Sequence, residues 1–390
     1  MAVIRTLEGM PPYIFSVLDE RRAAARAAGR RLIDLGIGSP DQQIPSLVLD
    51  AIREHASRRE LSGYPHFAAH PEFAAAVVPY LARRFGVSID PSRELLALAG
   101  SKEGIAEVVL AHCNPGDVVL VPAVHYPVYA RATLMAGAVP VYVPFDAQGR
   151  LDLAAIAPAD LARAKLLIAN YPSNPTTATL SLEDWRTLVD FARRHRVLLV
   201  SDLAYSELSF DGTRVPSALE VPGAAEVTVE FHSCSKTFNM AGLRIAFVVG
   251  QGQAISAIRA YRANIGYGVS TLAQLAGAAA FVHADQVVPP IVDEYRRRRD
   301  ALAAALQTHG WPVTPPSATM YFWLSVPPGF DDWAWVDALM SGPGVVVTPG
   351  IAFGEAGRGR FRVSLVQPAA VLADAARGIV EVAATGLQRA

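Results

Sequence analysis

The segment His232-Ser233-Cys234-Ser235-Lys236-Thr237-Phe238-Asn239-Met240-Ala241-Gly242-Leu243-Arg244 sets hydroxyls, a lysine and an arginine into an otherwise apolar stretch. A lysine in apolar surroundings, with a second cation nearby, can shed its proton near neutral pH and act as a nucleophile. A surface lysine in a loop fits poorly, because a strand-like run begins at Arg244 and the segment must enter the core. Asp202 follows the apolar run Val197–Ser201 (VLLVS) and should emerge at a buried strand end. A carboxylate there is costly unless paired. Tyr205, three residues on, faces the same way if the chain turns into a helix, although a plain helix N-cap would also explain Asp202. In Asn170-Tyr171-Pro172-Ser173-Asn174-Pro175-Thr176 two prolines fix the backbone and direct Asn174, as they would in any rigid loop. Gly100-Ser101-Lys102-Glu103-Gly104 places small residues where a strand turns into a helix, so that backbone N–H groups can approach a phosphate. It is neither a Walker A loop nor a dinucleotide fingerprint, and an ordinary tight turn competes with the phosphate reading.

These residues have to be positioned by the elements before them. Apolar, β-rich runs occur at 94–99, 117–121, 139–143, 165–169, 197–201, 227–231 and 244–249, with helical patterns at 102–112, 126–136 and 182–195 between several of them. Strand–helix alternation with near-continuous apolar strands predicts a mostly parallel seven-stranded sheet flanked by helices, in which ligands gather at the strands' carboxyl ends. Further helical patterns cover 251–263, 271–284 and 287–308. Past Trp311, short β runs (320–326, 344–348, 360–366) alternate with helices (331–341, 369–386), the mark of a smaller α/β domain. The expected division is a large domain over 46–285 and a small one built from 1–45 and 286–390, the first 45 residues lacking a sheet pattern of their own. The Ala/Arg-rich run 20–31 reads as a solvated helix.

Composition narrows the function. The 390 residues are 52% hydrophobic and 18% charged, which excludes a disordered chain. With 35 Lys+Arg against 36 Asp+Glu, the net charge of −1 argues against a nucleic-acid or anionic-membrane partner. No apolar stretch reaches the ~18 residues of a spanning helix, and the first residues lack a signal-peptide pattern, so a soluble cytoplasmic protein is expected. Cys113 and Cys234 allow neither a disulfide framework nor a four-thiolate metal site and read as small buried apolar residues; no metal is expected.

Asn174, Asp202, Tyr205, Lys236 and Arg244, in this order and each at a strand end, resemble the cofactor site of the fold-type I pyridoxal-phosphate enzymes, in the class I/II aminotransferase family. The nearest subgroup is the alanine aminotransferase / LL-diaminopimelate aminotransferase-like one. The resemblance covers nearly the whole chain. It is carried by MPPYIF (10–15), LGIGSPD (35–41), AGSKEGIAE (99–107), HYPVY (125–129), YPSNPT (171–176), DLAY (202–205), SCSKTFNMAGLRIAF (233–247) and VTPGIAFG (347–354).

The resemblance implies pyridoxal 5'-phosphate held by Lys236 as a Schiff base, the freed amine then moving the substrate's Cα proton. Asp202 would pair with the ring nitrogen, Tyr205 and Asn174 with the 3'-oxygen, and Tyr126 would stack on the ring. Gly100, Ser101 and Lys102 at the helix start, with Ser233, Ser235 and Arg244, would hold the phosphate; Lys102 would act through its backbone N–H, its side chain being free to point to solvent. Tyr64 matches the tyrosine that reaches the neighbouring subunit's phosphate, which implies a homodimer with shared sites. Arg362, and not its strand-mate Arg360, would bind the substrate α-carboxylate with Gly38. Loops near Ile14, Ile37, Tyr267 and Tyr321 would line the pocket. The implied activity is ping-pong amino transfer between an L-amino acid and a 2-oxo acid, with glutamate/2-oxoglutarate and either alanine/pyruvate or an LL-diaminopimelate-like substrate. A lyase, decarboxylase or oxidase would use the same residues, and a cofactor-sensing regulator would need a DNA-binding domain with no counterpart in residues 1–35. Two positions depart from the family pattern: Thr177 follows Asn-Pro-Thr where glycine is usual, and His70 replaces a glycine before Pro71-Glu72, a change that bears on donor choice more than on cofactor binding.

Overall fold

The computed structural model describes residue 10 and residues 12–387. Pro11 of the MPPYIF motif, residues 1–9 and residues 388–390 lie outside the described part. Twelve strands occur among the described residues, the first, β1, at Ile33–Asp34. The central sheet contains β2 (Leu95–Leu98), β3 (Val118–Pro122), β4 (Val139–Val143), β5 (Ala164–Asn170), β6 (Leu198–Asp202), β7 (Thr228–Ser233) and β8 (Ala246–Gly250). Their order is β2-β8-β7-β6-β5-β3-β4, with β8 alone running against its neighbours. All seven coincide with the apolar runs of the sequence. Every residue of β2, β3, β7 and β8 is buried, as strands covered on both faces require.

This topology gathers the chemistry at one edge. In register, Asn170 of β5 lies beside Asp202 of β6, which lies beside Phe231 of β7, two residues before Ser233. Because β8 is antiparallel, it begins at this edge, which brings Arg244 there. β2 pairs antiparallel with β8, so its last residue, Leu98, opposes Ala246 and delivers Gly100–Lys102 to the same place.

A second, antiparallel sheet has the order β11 (Thr348–Pro349), β12 (Arg360–Ser364), β9 (Tyr321–Ser325), and places Arg362 opposite Trp323. The N-terminal segment does contribute a strand, contrary to the sequence expectation. β1 pairs in parallel with β10 (Val345–Val346), and Ser364 donates its N–H to the carbonyl of Leu35. Two residues are too few to show an alternation, which is why the pattern was invisible. The Ala/Arg run is mostly exposed, as a solvated helix should be, with Arg22 as the exception. The helix spans Ile14–Ala27 and stops before Gly29, which has φ +78°. Arg22 is buried and paired with Asp19 and Asp34, and with Leu18 it forms the packed side of the helix.

Candidate active site

A cleft of about 340 Å³ opens where the carboxyl ends of β5, β6 and β7 face the second sheet. Gly38, Ser101, Lys102, Tyr126, Asn174, Asp202, Tyr205, Ser233, Ser235, Lys236, Arg244 and Arg362 all line it. Lys236 follows the Ser233 N-cap, whose hydroxyl accepts the Ser235 N–H at 3.2 Å. Its amine donates to the Gly38 carbonyl. Burial, reinforced by the Arg362 and Arg244 guanidiniums, pulls the Lys236 pKa down to about 7. The amine is therefore available as a base or nucleophile at neutral pH.

Asp202 ends β6 and is buried. The Tyr129 hydroxyl donates to its Oδ2 at 2.6 Å, and the Ala204 N–H to its Oδ1 at 3.3 Å. Burial outweighs these bonds and pushes its pKa up to about 6. Asn170 ties the neighbouring strand ends together, donating from Nδ2 to the Asp202 carbonyl at 2.8 Å and accepting the Asn174 N–H at 2.8 Å. Asn174 Nδ2 reaches the Tyr205 hydroxyl at 3.4 Å, and Tyr205 shares a 2.9 Å bond with Tyr321.

Arg362 is almost wholly buried. It donates to Asn174 Oδ1 at 2.8 Å and to the Gly36 carbonyl at 2.7 Å, while its guanidinium lies 4.2 Å from the Tyr321 ring centroid. Arg360, at the first position of the same strand, is exposed. Period two gives both arginines one face, but Arg360 sits at the strand's solvent end.

A family model described as aminotransferase class I and II matches residues 30–379. The chain belongs to that family. Among its relatives, this aminotransferase is 43% identical to the LL-diaminopimelate aminotransferase of Desulforudis audaxviator over 95% of each chain. It is 40% identical to that of Aquifex aeolicus, over 96% of this chain and 97% of the other. Among solved structures, apo-BacF from Bacillus subtilis superimposes with a TM-score of 0.94 at 31% identity, covering 98% of each chain. A probable N-succinyldiaminopimelate aminotransferase from Thermus thermophilus gives 0.89 at 35% identity, covering 95% of this chain and all of the other.

Membership of this family implies pyridoxal 5'-phosphate, and the aminotransferase's cleft fits it. Asp202 is a buried carboxylate with no cation bonded to it among the described residues, as a partner for a protonated ring nitrogen should be. Among the described residues, Arg362 Nε has no hydrogen-bond partner. At Gly100 (φ +113°) a Cβ would stand 2.0 Å from Arg244 Nη2, so a side chain would displace the guanidinium from the start of helix Ser101–His112. Gly100, the N-cap of that helix, has no side chain to cap it, so among the described residues its first N–H groups are open to an anion.

Several positions differ from the sequence expectation. The Lys102 side chain packs on Tyr13, with Nζ 3.2 Å from the hydroxyl and 4.9 Å from the ring centroid, rather than simply pointing to solvent. Tyr64 is not among these differences: it is 76% exposed and stacks on Tyr267 at 4.1 Å, outside its own chain's cleft. Tyr267 does not line this chain's cleft, whereas the segment near Ile14 does, through Tyr13 and Phe15, with Ile14 itself packed against the Val124 and Phe353 cluster. Ile37 and Tyr321 line it as expected. Tyr129 and Asn170 were missed. The signal for Tyr129 is its spacing of three from Tyr126, which places both on one face of the helix expected over 126–136; in the structure that helix begins at Val128, after Tyr126.

Proposed function

We propose that the enzyme moves amino groups between an L-amino acid and a 2-oxo acid by a ping-pong mechanism, with glutamate/2-oxoglutarate as one pair. Alanine/pyruvate or a diaminopimelate-like substrate would be the other, the latter supported by the substrates named for the relatives. The observation that carries this reading is a lysine amine lining the same cleft as a buried carboxylate that, among the described residues, has no cation bonded to it; burial also lowers the lysine's pKa. Pyridoxal 5'-phosphate, when bound, supplies an electron sink for the charge left as the substrate's Cα–H bond breaks.

The chain's own residues do the rest. Lys236 would hold the cofactor and then take and return the Cα proton, for which a pKa near ambient pH is best suited. Asp202 would keep the ring nitrogen protonated. Tyr205 and Asn174 would bond the 3'-oxygen, and Tyr126 would cover one ring face. The backbone at Ser101 and Lys102, the hydroxyls of Ser233 and Ser235, and Arg244 would hold the phosphate. Arg362 and Gly38 would take the α-carboxylate. A Cβ at Gly38 would meet the Tyr321 hydroxyl at 2.1 Å, so that backbone approach needs glycine. Dividing the chain at residues 45 and 286 sets Lys236 and Asp202 in one unit and Gly38, Tyr321 and Arg362 in the other. Tyr64, exposed and outside its own cleft, would serve the site of a second subunit in a homodimer.

The test is a panel of amino donors followed through complete turnover. Stoichiometric 2-oxo acid and new amino acid are expected; release of ammonia or carbon dioxide instead would reassign the enzyme to a lyase or a decarboxylase. Arg362→Lys keeps the charge but loses the paired N–H geometry. It is expected to raise KM for the amino donor about 10–100-fold, with a smaller change in kcat. Arg360→Lys, by contrast, should leave steady-state kinetics at parental values, and equal effects of the two would refute the assignment of Arg362.

A further inference from the structure

Tyr129 has no part in the reading above, yet it makes the shortest side-chain contact to Asp202. Its ring is wholly buried, and the helix Val128–Met135 holds it at its first turn. Its N–H bonds the Tyr126 carbonyl at 3.2 Å, and its carbonyl accepts the Thr133 hydroxyl at 2.8 Å. Tyr126 packs edge-on against it at 6.1 Å, and His125 stacks at 6.4 Å. The ring therefore has little freedom, and its hydroxyl is aimed at Asp202 Oδ2 at 2.6 Å, the length of a charge-assisted O–H···O⁻ bond.

Asp202 would otherwise be loosely held. Its other contact among the described residues is the Ala204 N–H on Oδ1 at 3.3 Å, which is long. The remaining titratable groups around it, Tyr126, Tyr205 and His232, act on it only through space; His232 spends its Nε2 on Glu230 at 3.0 Å. Burial and the nearby carboxylate raise the Tyr129 phenol well above its ordinary value, so it stays a donor at any working pH.

We propose that Tyr129 is a positioning residue for Asp202: its hydroxyl fixes the carboxylate's orientation by occupying Oδ2, and favours the ionised form that the ring nitrogen requires. This rests on the function proposed for Asp202. The consequence is that Tyr129 acts on catalysis only through that carboxylate.

The experiment is a double-mutant cycle of Tyr129→Phe, Asp202→Asn and the pair, in the enzyme loaded with pyridoxal 5'-phosphate. Tyr129→Phe removes one oxygen and is expected to lower kcat about 10-fold with KM within twofold. Without substrate, the pH midpoint of the cofactor's visible band should move upward by at least half a unit. A less firmly held acid leaves the ring nitrogen less positive, and the linkage at Lys236 then takes a proton more readily. In the Asp202→Asn background the same change should have no further effect on either readout. Independent, multiplying effects would overturn the proposal, and so would a Tyr129→Phe enzyme with parental kcat and midpoint. Should Tyr129→Phe alone be unstable, the double variant leaves no unpaired carboxylate and is compared with Asp202→Asn: equal kcat supports the proposal, and a further tenfold loss refutes it. If Asp202→Asn itself proved fully active, the failure would lie with the role of Asp202 and not with its coupling to Tyr129.

Discussion

Lys236→Ala is expected to lower amino transfer by at least about 10⁴-fold, because it removes together the amine proposed to anchor the cofactor and the proposed proton carrier. The amine has the right acidity for the second task. Burial, with Arg362 and Arg244 nearby, brings it to about 7 from the ordinary 10.5. Lys236→Arg restores a cation but not a titratable nucleophile, and should be as inactive. The decisive measurement is a single half-reaction, followed by the cofactor's absorbance after addition of an amino donor, with circular dichroism as the folding control. Full half-reaction rates in Lys236→Ala would end the mechanism. The same depressed pKa has two further signatures in the cofactor-free protein. Labelling of Lys236 by an amine-reactive reagent should rise with a midpoint near pH 7, well before other lysines. Between about 7 and 10.5 the unfolded chain holds a proton that the folded one has released, so this group's contribution to stability increases as pH rises through that window. Below 7 the buried charge is a full burden, and Lys236→Ala should be no less stable than the parent there.

How much of this was legible follows from how far apart the partners lie. The seven central strands are legible because each is an apolar run, most of them buried; β4, at the edge of the sheet, is largely exposed and shows only as an apolar β-branched stretch, and the edge that collects Gly100, Asn170, Asp202, Ser233 and Arg244 follows from strand direction. β1 was not legible, since two residues carry no period. Arg360 and Arg362 share a strand face by counting, and only the depth of the strand in the fold separates an exposed arginine from a buried one. Tyr129 and Asp202 are far apart in sequence, so no local pattern could pair them, although each alone could be assigned to a helix face and a strand end. The Tyr205–Tyr321 bond and the Arg362–Asn174 bond are of the same kind. Residue types announced the chemistry at Lys236, whereas the network that orients its neighbours is a product of the tertiary fold.

Asp202→Asn should separate activity from stability with opposite signs. The side chain keeps its shape and can still accept from Tyr129, but it can no longer neutralise a protonated ring nitrogen. Loss of a preorganised charge of this kind is worth about 10³-fold in kcat, with cofactor affinity less affected because the phosphate and Lys236 contacts remain. In the cofactor-free protein the same carboxylate is a liability. Its folded pKa of about 6 lies above the ordinary 3.8, so between these values the folded state holds a proton that the unfolded state has lost. Stability from this group is therefore greatest in acid and declines as pH rises towards 6; above 6 the burden is complete, at most about 3 kcal/mol. The cofactor-free Asp202→Asn protein should melt at a higher temperature than the parent at pH 8, with the gap closing as pH falls below 6 and gone near 3.8. Saturation with pyridoxal 5'-phosphate should shrink or reverse the advantage, because the parent carboxylate then has its cation. A variant that melts lower than the parent at pH 8 while retaining its rate would mean that Asp202 is held by contacts inside the protein, and that the buried charge is not waiting for a partner. A residue kept at a cost to the empty fold and repaid on loading is what a cofactor site built for chemistry rather than for rigidity predicts.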